Sequence, residues 1–582
     1  MRRLACRFAA VAALLAGFLL PGARAQAKAS APLAVTGVRN FSPAVYGANG
    51  QNWSVAEDSR GILFFGNSSG VLEYDGARWR LIGMPGGGGA YAVAKASNGR
   101  ILVGGDGEIG SLVPNASGTL KYVSDIAGLP AAFHDSGDRV IQILDTPTGR
   151  VFLSDHWLFV RAKSGAVTSV PSDDHFLHAA WYDGSLYVLD TVRGLTRLEG
   201  DKLQGLPGGA DVRGLTMVAT KSGLLIPSFN QGLVLYQPGS AQPMQVLNAA
   251  GWNTTDGSNV TSAVALTPSL VAFGTAKNGV EIVNAEGQIV LRAGTAQGLA
   301  DPHVYGMGYN HRGGLWAALN SGVSLVGVNL PADAEAAPFR AQIRAVVGTR
   351  DDRVVFGGAW SAKAGGVQSL IQDPAQILKF PYRYNAFRIA YAANGLGPSG
   401  AMEYQTFMNG VDNGWSKWSP RIDREFTELP HGRWVFQVRA RMPDGQISSE
   451  ATYVLRIKPA WFQTWWFAIL QVLAVIGILV LPGHTPHKKL QEALTTFAVI
   501  VPFVYLGDTL TGFIEHYYTS EVALVQLLIS SGMAFMLDPL QKMLEKLVKK
   551  RNARRASKRK GLNSEAHGAV QAEEELLAEV EE

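Results

Sequence analysis

WSVAEDSRGILFFGNSSGVLEYDGARWRLI, running from Trp53 to Ile82, decides the fold. An alternating apolar stretch leads to a polar turn at Asp58–Gly61, then a second strand through Phe65. A small-residue turn at Asn67–Gly70 follows, and then a third strand. YAVAKASNGRILVGGDGEIGSLV, Tyr91–Val113, repeats the phrase. Weaker copies follow at IQILDTPTGRVFLSDHWLFVRAKSG, AAWYDGSLYVLDTVRGLTRLEG, MVATKSGLLIPSFNQGLVLYQPG, SAVALTPSLVAFGTAKNGVEIVNAEG and YGMGYNHRGGLWAALNSGVSLVG. Their turn residues Gly61, Gly99, Gly149, Gly184, Gly223, Pro268 and Gly313 lie 35 to 50 positions apart. Period-2 strands punctuated by turn residues at that spacing are propeller blades. Each blade is a small sheet that cannot bury both faces alone, and radial stacking buries them. Seven copies predict about seven blades over residues 40–335.

The chain has 582 residues, too many for one core. With 66 Gly and only 17% charged residues it suits a turn-rich β protein with membrane segments better than a disordered one. MRRLACRFAAVAALLAGFLLPGARAQA opens the chain: three Arg, an apolar run Phe8–Leu20, and small residues at Ala23 and Ala25. This predicts a secretory signal peptide over residues 1–27, with an uncleaved anchor as the alternative. The single cysteine, Cys6, lies before the apolar run, so the mature chain would have no disulfide and no thiol catalyst.

A second module, residues 338–460, alternates in the same way. RAQIRAVVGTRDDRVVFGGA, NAFRIAYAAN, AMEYQTFMNGVDNGWSKWSP, REFTELPHGRWVFQVRARMPDGQ and ATYVLRIKP are strands between turn clusters, and their number fits a β-sandwich. The blade phrase Asp58–Gly61 with Ile62–Gly66 and Gly70–Tyr74 resembles the two-component-regulator propeller repeat. The segment from Tyr404 through Trp415, Trp418, Phe426 and Trp434 to Phe467 resembles the three-tyrosine domain, which links propellers to the first membrane helix in sensor kinases of that family. Two departures stand out. Of the three signature tyrosines only Tyr404 remains, with Phe426 and Trp434 at the other two positions, which keeps two large rings for the core without their hydroxyls. The histidine kinase that this layout usually continues into is not expected here: 45 residues follow Leu537, and His567 has neither a helical-hairpin context nor a nucleotide loop after it.

AWFQTWWFAILQVLAVIGILVLPG, Ala460–Gly483, places Trp461, Trp465 and Trp466 as an interfacial anchor in front of an apolar run, Trp465–Leu481. Two more runs, Ala493–Gly507 (extending toward Ile514) and Val522–Leu537, predict three spans within residues 465–537, or a single re-entrant hairpin in place of the last two. The loop with Lys488 and Lys489 is basic. The 508–521 link carries Asp508, Glu515 and Glu521 and no Lys or Arg. The positive-inside rule therefore places the C-terminus in the cytoplasm. Asp508 reads as an interfacial residue, with a buried functional acid as the alternative.

Residues 538–582 begin with Asp538 and Pro539, suited to a helix start. Leu540, Met543, Leu544, Leu547 and Val548 share one helical face, and Lys542, Lys546, Lys549, Lys550 and Arg551 lie around it. Ten Lys/Arg fall between Lys542 and Lys560, and seven Glu follow in the tail, so the net charge of +5 is unevenly placed. Lipid contact, a partner or dimerising helix, and a plain stop-transfer signal compete for this helix.

Motifs that carry chemistry are few. GDGEIG (Gly105–Gly110) satisfies G-x-G-x-x-G, but a strand and turn follow rather than a helix, so it reads as a blade hairpin. Asp173, Asp174, His175 and His178 have the chemistry of metal ligands, but no second cluster completes a shell, and ordinary loop polarity explains them equally. Ser154–Trp157 suggests a hydrolase only if a base is placed beside the serine. Trp415 and Trp418 suit packing better than a sugar platform. No catalytic, cofactor-binding or metal residue is assigned, and the ligand-binding residues stay unknown.

The fold class expected is an all-β extracytoplasmic region, about a seven-bladed β-propeller followed by a β-sandwich, plus a C-terminal α-helical membrane region. The function expected is a non-catalytic sensor or ligand-binding protein of the bacterial inner membrane with its β domains in the periplasm. A membrane-anchored propeller hydrolase or lyase and a non-switching envelope scaffold are the alternatives. The resemblance implies a carbohydrate ligand, a cytoplasmic kinase or regulator in trans, and a homodimer formed through the sandwich. Membrane lipids are partners, and nucleic acid is not.

Overall fold

The computed structural model describes residues 32–247, 259–330, 335–361, 368–369, 372, 377–395 and 402–480, with Ser531 and scattered positions from 538 to 572. The signal-peptide region, the Lys488/Lys489 loop, Asp508, nearly all of the second and third expected spans, Arg551 and the end of the acidic tail lie outside them.

Seven four-stranded antiparallel sheets account for the repeats. Blades one to six run Asn52–Ile82, Ala90–Ser124, Val140–Pro171, Phe176–Gly205, Val218–Leu247 and Val260–Ala293. The seventh joins Val304–Tyr309, Gly314–Leu319 and Gly322–Val328 to a strand from the other end of the chain, Val35–Phe41, whose register runs from Val35 opposite Val328 to Phe41 opposite Val323. The first strand of each blade neighbours the first strand of the next, and that of blade seven returns to that of blade one, so the ring is closed. Two elements exceed the three-strand repeat. Each blade carries a fourth, outermost strand, such as Trp79–Ile82, and the closing strand begins at Val35, ahead of residue 40. Val35–Phe41 covers the backbone edge that Gly322–Val328 would otherwise expose.

The core is divided among the gaps between blades. Each of the seven gaps of the propeller holds an apolar cluster of its own. The run Ile62-Leu63-Phe64-Phe65 explains how: Ile62 and Phe64 pack toward blade two, and Leu63 and Phe65 toward blade seven. A strand with both faces buried reads as a continuous apolar run rather than an alternation. Each such side chain contributes about 1.5–3 kcal/mol.

The second module is two facing four-stranded sheets. One orders Val354–Phe356, Ala341–Gly348, Phe387–Ala393 and Asp423–Phe426. The other orders Leu378–Phe380, Ala451–Ile457, Gly432–Arg441 and Glu403–Met408. Tyr391 meets Tyr404 at 5.2 Å and Phe436 at 6.0 Å between ring centroids, and Phe426 meets Phe436 at 5.9 Å. Tyr404 and Phe426 are buried as their positions predict, but Trp434 is only half-buried. It shares the inward parity of Phe436 and Val438 but stands near the end of its strand, against Gly410, with its indole N–H donating to the Pro430 carbonyl at 2.9 Å.

Propeller and sandwich form one compact unit, joined through blades one and two. Arg344 enters from the sandwich and pairs with Glu73 and Asp75 of blade one, and all three side chains are less than a tenth exposed. Burial pushes the Glu73 carboxyl up, but Arg344 and Arg80 outweigh it and hold the group below its usual range. Arg60, paired with Asp58, donates to the Gly358 carbonyl at 3.0 Å, and Gln342 donates to the Arg60 carbonyl at 2.5 Å. Gly357 and Ala359 hydrogen-bond through their backbone N–H groups to Ser117 and Gly118, and Ala359 completes the apolar cluster between blades one and two.

The other compact unit holds Pro381–Arg383 and residues from Lys458 onward. Its helix Trp465–Val480 has 16 residues, and among the described residues no helix is long and apolar enough to cross a membrane. The described positions between 538 and 572 are helical.

Candidate functional site

Six of the seven innermost strands share a defect at their second residue. The register against the second strand slips at Trp53, Tyr91, Ile141, Leu177, Thr261 and Tyr305. A bulge leaves one residue outside the ladder and re-aims its side chain, and here the bulges fall at one end of the propeller axis. Because blade seven closes onto blade one, Tyr305, Trp53 and Tyr91 are consecutive around the ring. Trp53 lies 4.6 Å from Tyr305 and 5.3 Å from Tyr91, and His303 lies tilted 4.2 Å from Tyr305. All four rings are half-buried.

Polar contacts hold the crescent in place. Trp53 donates its indole N–H to the Ser68 hydroxyl at 3.0 Å, Gln51 donates to the Tyr305 hydroxyl at 3.0 Å, and the Tyr91 hydroxyl donates to Asp106 at 3.1 Å. Burial, then the Asp106 charge, push the Tyr91 phenol up. The Arg139 guanidinium lies 5.6 Å from Trp53 and 5.7 Å from Tyr91, and it is tied to Asp155 at 3.2 Å. The arrangement is a rigid aromatic surface with one cation and several hydroxyls at its margin, suited to a flat ring with polar substituents.

Beside it, the loops of blades three and four gather acids and histidines. His175 bonds through Nδ1 to Asp174 at 2.9 Å, and Asp173 pairs with Arg193. His178 is turned away: the Gln142 amide donates to its Nε2 at 3.2 Å, and burial lowers its pKa to about 4. The four candidate ligands therefore do not converge. Ser154 donates to Asp138 at 2.5 Å, and Asp138 also accepts from His156 Nδ1 at 2.7 Å. A hydrolytic triad needs the serine on the imidazole and the acid behind it, and this order is different. Among the described residues no group of three or more His, Cys, Asp or Glu is placed to hold a metal.

At the opposite end of the axis a cleft of about 760 Å³ is lined by Glu57, Lys95, Tyr309, His311, Trp316 and Glu335 among others. Burial, reinforced by the charge of Asp58, raises the Glu57 carboxyl to about 7 against the pull of Lys95 and Arg312. The cleft touches Glu335–Pro338, the segment leading into the sandwich, where Arg312 donates to the Ala337 carbonyl at 3.0 Å.

No family model and no curated protein matches the chain. Among solved structures it is similar to the extracellular domain assigned to the hybrid two component system BT3049 from B. thetaiotaomicron, at 14% identity over 72% of this chain and 57% of that one, with a TM-score of 0.40. The extracellular domain assigned to BT4673 of the same organism is similar at 12% identity over 74% and 60%, with a TM-score of 0.41. YCF48 bound to a D1 peptide is similar at 10% identity over 53% and 98%, with a TM-score of 0.39. The first two are extracellular domains of two-component systems, and the likeness is one of fold. The chain spans about three-fifths of their length.

The remaining sequence candidates disperse. Gly105–Gly110 forms the turn between strands Ile101–Gly105 and Ile109–Pro114, a blade hairpin. Trp415 and Trp418 do not enter the core. They are half-buried against Arg439, 4.4 Å from the Trp415 ring and 5.7 Å from Trp418, and Arg441, 4.5 Å from Trp418. Trp461, Trp465 and Trp466 are exposed, and Lys542 pairs with Asp538 at 2.7 Å. Lys546, Lys549 and Lys550 are exposed on helical backbone. Sequence reasoning passed over the crescent, although its signal was present: three repeats carry an aromatic at the same place in their first strand.

Proposed function

We propose that this chain is a membrane-anchored, extracytoplasmic ligand sensor that hands its signal to a cytoplasmic partner without catalysing a reaction. The carrying observation is the crescent of Trp53, Tyr305 and Tyr91, an aromatic surface at one end of the propeller axis. The sandwich, clamped to the other side of blade one, supports a role as transmitter, since its last strand, Ala451–Ile457, is followed directly by the tryptophan-rich stem and the apolar run. A carbohydrate is the ligand class proposed, because the apolar face of a sugar ring stacks on an indole while its hydroxyls bond at the margin. The bilayer is crossed in or near residues 465–537, with the basic 538–550 helix at the anionic inner surface and a kinase or regulator as partner. Pairing of two copies through the sandwich belongs to the same proposal.

The test uses the full-length chain in detergent, screened by thermal shift against a panel of oligosaccharides. One class is expected to raise Tm, and Trp53→Ala and Tyr305→Ala are each expected to abolish the rise. Autophosphorylation from ATP by the purified chain alone would sink the proposal. The propeller-enzyme reading draws support from the Asp138–His156 pair. Sugar cleavage that disappears in His156→Gln would establish it instead.

A further inference from the structure

The two histidines beside the crescent meet each other. His156 sits in the turn between Gly149–Ser154 and Trp157–Ala162, and His175 in the link before Phe176. They are nineteen positions apart in sequence, yet their ring centroids are 4.6 Å apart with planes at 48°. Both rings are about half exposed. Backbone bonds lock the two loops together: Ser172 N–H donates to the His156 carbonyl and Phe176 N–H to the Asp155 carbonyl, both at 2.8 Å.

Each imidazole is held by a carboxylate at the same atom. Asp138 takes the Nδ1–H of His156, and its own side chain is 3% exposed, fixed by the Ser154 hydroxyl at 2.5 Å and the His156 N–H at 3.2 Å. Asp174 takes the Nδ1–H of His175 and also accepts from the Thr191 hydroxyl at 2.8 Å. With the proton committed to Nδ1, the neutral form of each ring carries its lone pair on Nε2. A carboxylate behind Nδ1 and a free Nε2 in front is the outer-sphere pattern of metal-bound histidine. Two imidazoles on one tetrahedral ion, with metal–nitrogen bonds of about 2.0–2.1 Å, have ring centroids roughly 5 Å apart, close to the spacing here.

We infer that His156 and His175 form a two-imidazole site for a borderline divalent transition-metal ion, zinc or copper(II), with water completing its coordination. Imidazole suits these ions, whereas magnesium and calcium demand oxygen. The ion would add a positive charge beside Arg139, on the margin of the crescent. The site does not depend on what the crescent binds.

The purified full-length chain is titrated with zinc against a chromophoric indicator and with copper(II) by electron paramagnetic resonance. One ion per chain is expected at this site, with two nitrogens in the copper spectrum. His156→Gln and His175→Gln should each weaken zinc binding at least about tenfold and leave one nitrogen, Asp138→Asn should weaken it about 10–100-fold, and His431→Gln should change nothing. Unchanged zinc affinity in both single histidine variants, or no binding above background, overturns the proposal. A measurement on the unaltered chain guards against misfolded variants: zinc should protect His156 and His175 from diethylpyrocarbonate, read by mass spectrometry. Equal modification with and without zinc overturns it as well.

Discussion

At the scale of single residues, two partly buried titratable groups set opposite pH slopes. Glu57 has its folded pKa raised to about 7, so the native state binds more protons than the unfolded one between the ordinary carboxylate value and 7. Stability from this group is full at low pH and is lost as pH rises through that window. Glu57→Gln should therefore stabilise the chain at pH 8 by about 1–3 kcal/mol and have little effect below about pH 4.5, read as Tm against pH. His178 is the reverse case, with its folded pKa lowered to about 4 by burial. Its contribution is present above the unfolded value near 6.5 and is lost as pH falls toward 4. Acid melting between about pH 6 and 4 should thus be shallower in His178→Gln than in the parent. Arg344 carries more weight than either. Removing it as Arg344→Ala strands the Glu73 and Asp75 carboxylates in a buried junction, at a cost of about 3–5 kcal/mol measured by chemical denaturation. The sequence marks none of these three as special, because burial and pairing come from residues far away along the chain.

At the scale of elements, the informative pieces are the closing strand and the bulged strands. Val35–Phe41 adds a single strand, yet it converts an open arc into a ring. Phe41 packs against Tyr74, Trp79 and Trp316 with ring centroids at 5.2, 5.3 and 5.7 Å, bridging the last blade to the first. Phe41→Ala is expected to cost about 3–5 kcal/mol, visible as a lower urea midpoint. Thr36→Ala, an exposed change on the same strand, should be nearly neutral in the same assay. The blades themselves were legible from the regular spacing of turn residues, each copy re-stating one local pattern. Their fourth strands were less so, since an outer strand such as Trp79–Ile82 is short and partly exposed and carries little apolar signal. Gly432–Arg441 shows the same division: its alternation puts Phe436, Val438 and Ala440 in the core, but only the end position of Trp434 explains why that ring is half exposed.

At the scale of the whole molecule, the propeller and sandwich act as one body. Gly118 adopts φ +78°, and a Cβ there would run into the Ala359 carbonyl oxygen. At Gly61, φ +80°, a Cβ would fall 2.5 Å from the Asn394 side chain. Both are places where a blade turn touches the sandwich, and only the absence of a side chain permits the approach. Gly118→Val should loosen the junction and split one cooperative unfolding transition into two, seen by calorimetry. A single transition with an unchanged midpoint would show that the contact contributes nothing. For a sensor, this clamp means that ligand binding at the crescent has to move propeller and sandwich together, and a ligand shifts an equilibrium only by its differential affinity for the two states.

What the sequence determined alone is the local, repeated part of the protein: seven copies of a turn-punctuated strand pattern, a second β module, and an apolar stem led by tryptophans. Hydrophobic period and turn chemistry are short-range properties, so they survive being read one window at a time. Tertiary structure decided everything that depends on which distant residues meet. Ring closure made Tyr305 a neighbour of Trp53, 252 positions away. Loop packing brought His156 to His175, and burial set the charge states of Glu57 and His178. Sites are made by such convergence, and no window of sequence contains it.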